Sequence, residues 1–227
     1  MTLVDVTERL IGDGESVLLS VHPSRLPRYR RVDPWSEVAA TLGVRFDTGR
    51  VLTEAVVQSA DQYVLQPNQV VRRFAAEHPI GSAVDGQAAY LPLPLPIRVD
   101  AESVDGARWT TVAAVEPGPR RWLEDEWQVA APTGSELPEI EPVSEPTPIM
   151  VAVERGNQRL LAIGSGGWML TRIADAVTAI GGGRRALLNP GNPELMLASA
   201  AWLAGRDAMI ARSPVQRQVA RLDGLDG

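Results

Sequence analysis

Gly191-Asn192-Pro193-Glu194-Leu195-Met196-Leu197, running on through Ala200, Ala201, Trp202 and Leu203 to Gly205, is the stretch whose reading decides the fold. Asn192 can accept from the free N–H groups of a first helical turn, Pro193 suits the first helical position, and Glu194 puts a negative charge at the positive helix end. Leu195, Ser199 and Trp202 then share one face, with Met196, Ala200 and Leu203 beside them. Apolar surface so wide implies a helix buried all round. Gly205 is the exit in a left-handed conformation, and Met209-Ile210-Ala211 reads as a short strand or extended segment.

Working upstream, residues 168–180 carry an amphipathic helix pattern broken by Gly181-Gly182-Gly183. Met150 to Val153 and Leu160 to Ile163, joined by Arg155-Gly156-Asn157, read as a hairpin or two adjacent strands. Residues 17–21 are a continuous apolar run, the signature of a strand covered on both faces in a parallel sheet. Asp33, Pro34 and Gly43 mark the cap, first position and exit of a two-turn helix. Residues 44–46 and 51–52 are short extended pieces, 70–76 a helix ended by the Pro79 and Gly81 turn, and 109–115 a strand. In Leu91-Pro92-Leu93-Pro94-Leu95-Pro96-Ile97 the prolines deny a central strand its donors, so the segment reads as an edge strand or polyproline piece. Residues 132–148 hold five prolines and four glutamates and read as a solvated loop within one domain.

Composition sets the limits. The chain has 227 residues, 44% of them hydrophobic, enough for a buried core. A net charge of −6 argues against a nucleic-acid surface, and all 22 basic residues are arginine. The absence of cysteine removes disulfides, thiolate nucleophiles and thiolate-bound metals. No apolar run approaches the ~20 residues of a membrane span, and residues 1–10 already carry Asp5, Glu8 and Arg9, unlike a signal peptide.

The order of a strand at 159–163, a glycine turn, a variable helix, the Gly191-Asn192 run with Glu194-Leu195, then Trp202-Leu203-Ala204-Gly205 resembles the end of the soluble domain in gliding-motility-type auxiliary components of ABC transporters. Gly12-Asp13-Gly14 with the following strand, His22-Pro23, and Glu77-His78-Pro79-Ile80 resemble that family's motifs in the same order, over roughly residues 1–213. The resemblance implies an extracytoplasmic α/β domain tethered to the membrane by segments outside this chain, with ABC permease and ATPase subunits as partners. With the apolar runs, it implies a three-layer, mostly parallel sheet with helices on both faces, flavodoxin-like or glutamine-amidotransferase-like. The expected N-terminal strand and helix of that fold are missing, so the chain reads as beginning inside a helix. Residues 1–213 are then one domain and 214–227 a polar tail.

Catalytic, cofactor and metal sites are not expected. Gly164-Ser165-Gly166-Gly167 invites a phosphate-loop reading, but neither dinucleotide nor Walker spacing follows, and a tight turn is the simpler account. Ser165 lacks the flanking glycines of a nucleophile elbow. His22 and His78 are the only histidines and stand far apart in sequence, each beside a proline. Arg25, Arg28, Arg30 and Arg31, with Tyr29, form the one basic cluster and are the candidate contact for an anion or a partner. Trp109, Trp122 and Trp127 are candidates for a glycan platform, with core packing as the alternative. The expected function is non-catalytic protein contact or cargo handling beside a permease. The alternatives are a hydrolase or amidotransferase-like enzyme, and a glycan- or anion-binding module.

Overall fold

A computed structural model describes residues 1–59, 62–100, 104–127, 133–134, 139–180 and 184–210. The glycine break at 181–183, the closing run from Ala211 and the polar tail at 214–227 lie outside the described residues, as do 132 and 135–138 of the acidic loop. The strands in chain order are β1 (Val17–Ser20), β2 (Val44–Phe46), β3 (Val51–Ser59), β4 (Gln62–Gln66), β5 (Asn68–Val71), β6 (Ala89–Pro92) and β7 (Ile97–Val99). There follow β8 (Ala107–Val115), β9 (Arg121–Glu124), β10 (Thr133–Gly134), β11 (Thr147–Arg155), β12 (Gln158–Ile163), β13 (Val177–Ala179) and β14 (Arg185–Leu187). The helices are α1 (Leu3–Gly12), α2 (Pro79–Val84), α3 (Thr171–Ala174), α4 (Gly191–Leu203) and α5 (Asp207–Ile210).

The organising sheet has the order β1-β12-β11-β8. Residues 147–163 build its centre, because Gly156 takes a positive φ of 60° and lets Arg155 pair with Gln158 across a two-residue turn. Alternation then sends Met150, Ala152, Leu161 and Ile163 into one apolar cluster and Val151, Val153, Leu160 and Ala162 into another. The first cluster is closed by α2, α4 and Trp168; the second by α1, Leu42 and the β2–β7 ribbon. Burial on both faces explains the unbroken apolar runs.

That burial does not make the sheet parallel. Among the described residues only β1 and β12 run parallel; β12–β11 and β11–β8 are antiparallel, as are the sheet β10-β4-β3-β9 and the ribbons β2–β7, β5–β6 and β13–β14. The expected three-layer, mostly parallel flavodoxin-like fold is therefore corrected to a mixed α/β fold of several small, mostly antiparallel sheets. An apolar run reports that both faces are covered, not which way its neighbours point.

Other expectations change locally. Asp33 does accept from Trp35 N–H at 3.1 Å and Gly43 is left-handed at φ 71°, but between them lie two short 3-10 turns, Pro34–Ser36 and Ala40–Leu42, and not a two-turn helix. Residues 70–76 are not helical; β5 ends at Val71, and Pro79 opens α2 where it was expected to close a helix, with His78 as the cap accepting from Ile80 N–H at 3.3 Å. The expected helix over 168–180 shrinks to the single turn of α3, and β-branched Val177 and Thr178 pair with Ala186 and Leu187 in a hairpin. Met209 and Ile210 belong to α5, not to a strand. The proline-rich run joins β6 and β7, each paired on one side only, as an edge strand is, but Leu91, Leu95 and Ile97 are fully buried, so the run also threads the core; Leu95 N–H donates to Gly164 O at 2.8 Å. α1 carries its own capping box, Thr2 with Asp5.

Candidate functional site

The glycine turn after β12 is spent on packing. Ser165 is fully buried; its hydroxyl donates to Pro92 O at 2.7 Å, and its carbonyl accepts from Ser20 Oγ at 2.7 Å. Trp168 Nε1 donates in turn to Ser20 Oγ at 3.1 Å. A side chain at Gly166 would place its Cβ 2.7 Å from that of His22, so glycine here serves close approach. Gly164 N–H donates to Ile149 O, which removes one of the donors a phosphate would need.

The histidines stand apart. His78 is buried at 4% exposure, its ring packs edge-on at 4.9 Å from the Trp202 ring, and burial lowers its pKa. His22 is exposed, with its ring 6.4 Å from Trp127. Among the described residues no group of three or more His, Asp or Glu side chains could hold a metal ion. The tryptophans do not form a platform either. Trp109 donates to Leu42 O, Trp122 is buried beside Tyr63 and Ala55 with its Nε1 on Glu124, and Trp127 lies by His22.

The arginine cluster occupies an exposed loop after β1. A 3-10 turn at Pro27–Tyr29 leads into Arg30 at a left-handed φ of 56°. Arg28 is paired with Glu126 at 3.0 Å. Arg30 and Arg31 border a shallow depression of about 340 Å³ that also contains Asp33 and Asp47, while Arg25 is exposed nearby in sequence. Of the four arginines only Arg28 has a salt bridge among the described residues; Asp47 pairs with Arg50 and Arg98, and Asp33 accepts from Trp35 N–H.

α4 departs most from its sequence reading. It begins at Gly191 after Pro190, so Asn192 lies inside the first turn and does not cap it. Its buried amide instead accepts from Tyr90 N–H at 2.7 Å and donates to Tyr90 O at 2.9 Å and Trp168 O at 2.8 Å. The helix start is thereby tied to β6 and to the turn after β12. Leu195, Ala198, Ser199 and Trp202 face the core. Arg159 lies 5.1 Å from the Trp202 ring centroid and reaches Asp207 at 2.6 and 3.0 Å, joining β12 to α4 and α5.

The opposite side is uncovered. Met196 and Leu197 on α4 and Met209 on α5 are 53, 54 and 57% exposed, and Ala200 and Ala204 are exposed beside them in sequence. The helix expected to be buried all round is buried on one side only. The sequence carried the signal, apolar residues on every face, but could not say that part of that surface meets solvent.

No helix among the described residues is long and apolar enough to cross a membrane. Comparison with profiles of protein families, with characterised proteins and with solved structures gave no match.

Proposed function

We propose that this chain is a non-catalytic interaction domain that works by protein contact, and that it is the extracytoplasmic domain of an ABC-transporter auxiliary subunit of the gliding-motility type. One observation carries the protein-contact reading: α4 is apolar on all sides, yet Met196, Leu197 and the neighbouring Met209 lie open. A helix without a polar face is stable against a second surface, and clustered apolar exposure marks contact sites. The narrower transporter reading rests on motif order along the chain. It does not rest on the mostly parallel sheet, which the fold lacks.

The partner surface is apolar protein, a permease-side helix or loop. The test is co-purification of the chain with the ATPase and permease encoded beside it. The wild type is expected to retain the permease, and Met196→Glu with Leu197→Glu to lose it, both substitutions being at open positions. A locus without those two genes overturns the transporter reading. Equal capture by the variant overturns the assignment of the face. A concentration-dependent dimer that the variant abolishes gives the face to a second copy of this chain instead.

A further inference from the structure

A cleft on another part of the molecule has the chemistry of a ligand site. Its floor is the outward face of the β5–β6 ribbon. Register places Val70 opposite Tyr90 and Asn68 opposite Pro92, and all four side the cleft. The alternate residues Val71, Ala89 and Leu91 point into the core, so the ribbon is a wall with one dry face and one open face. Across from it, Leu170 comes from the turn leading into α3, Ile173 from α3 itself, and Leu188 from the end of the β13–β14 hairpin. Val70, Leu170 and Leu188 are each roughly half exposed. The open cleft has a volume of about 860 Å³. That lies within the range of about 300–1,000 Å³ common for small-molecule sites and calls for a small ligand over a folded partner.

The charge in the cleft is of one sign. Arg72 and Arg172 both line it, no Asp or Glu does so among the described residues, and neither arginine forms a salt bridge among them. In a chain of net charge −6, the cleft sets two cations beside an apolar trough with no carboxylate in its lining among the described residues. Guanidinium groups beside apolar walls suit a carboxylate or phosphate head on an apolar body. The floor is also held in place, since Asn192 clamps both backbone groups of Tyr90. Burial raises the Tyr90 phenol's pKa and the nearby Arg172 charge opposes it, which keeps a neutral hydroxyl donor beside a cation.

We infer that the cleft between the β5–β6 ribbon and residues 166–176 and 188–189 binds a small amphipathic anion, a carboxylate or phosphate monoester carrying an aliphatic or aromatic body, with Arg72 and Arg172 taking the head. This site is independent of the α4–α5 contact face, so either can fail alone.

The experiment is isothermal titration of the whole chain below the micellar range. The ligands are dodecanoate, dodecyl phosphate, inorganic phosphate and dodecyltrimethylammonium. Saturable one-to-one binding of at least one of the two amphipathic anions is expected, with none of the cation and none of phosphate alone. Arg72→Ala with Arg172→Ala should weaken that binding at least tenfold. Leu188→Asp, which sets a carboxylate on an exposed wall position, should abolish it. Melting midpoints of both variants are read alongside, and the exposed positions are expected to leave them unchanged. Failure of both anions to saturate overturns the inference. So does equal binding of the cation, or wild-type affinity in the folded double-arginine variant.

Discussion

The loop at residues 25–31 and the cleft under Tyr90 both present arginines, and they are not equivalent. The loop has four within seven residues, yet Arg28 is taken by Glu126, and Asp33 and Asp47 share the depression beside Arg30 and Arg31. The cleft has only two, a hundred residues apart in sequence, with apolar walls and no carboxylate among the described residues. Density of positive charge along a chain is therefore a poor guide to an anion site. What counts is whether the fold sets the charge beside apolar walls with no carboxylate in the lining.

The largest effect that can break this comparison comes from Asn192. Replacing it by Leu leaves Tyr90 N–H, Tyr90 O and Trp168 O without the partner they share; at about 1–3 kcal/mol per stranded buried group, the loss is at least about 3 kcal/mol in urea unfolding. Binding in the cleft should fall with it, because Tyr90 is the floor. If stability is unchanged, the cleft is not framed as described.

Next in size is the contrast between arginines. Arg72→Ala with Arg172→Ala should cost at least about 1.4 kcal/mol in binding an amphipathic anion, a tenfold change, while Arg28→Ala with Arg31→Ala should leave the affinity within a factor of about two. The reverse pattern in titration calorimetry restores the loop as the site.

A pH series probes the packing behind α4. Burial lowers the His78 pKa, so its contribution is fully kept above the unfolded-state value of about 6.5 and is lost as pH falls from there through the lower folded-state value. The unfolding midpoint should drop between pH 7 and 5, and His78→Asn, which keeps a capping acceptor without the titration, should flatten that slope. An identical slope in the variant would assign the pH dependence elsewhere. The smallest effect belongs to Arg28→Ala, whose exposed pair with Glu126 should be worth less than about 1 kcal/mol in the same unfolding assay.

Local devices were legible in the sequence. The Gly156 turn, the Asp33 cap, the Gly43 exit and the strands expected at 17–21 and 109–115, found at 17–20 and 107–115, follow from backbone preference and apolar pattern alone. What stayed hidden depends on contacts between distant segments. Asn192 looks like a cap because asparagine before Pro-Glu usually is one, and only the approach of β6 gives its amide better partners. Residues 168–180 have helical spacing, but Trp168 is drawn wholly into the core and the β-branched end pairs with residues 185–187. The parallel sheet was read from burial, which antiparallel neighbours satisfy equally well. Arg72 and Arg172 gave no signal, because nothing in one dimension joins them.

The most direct test of the cleft is a methyl-detected NMR titration with dodecanoate, dodecyl phosphate serving as the second anion. Saturable shifts are expected at Val70, Leu170, Ile173 and Leu188, with Val32 in the arginine loop unmoved. Shifts at Val32 with the four cleft residues silent would contradict the account.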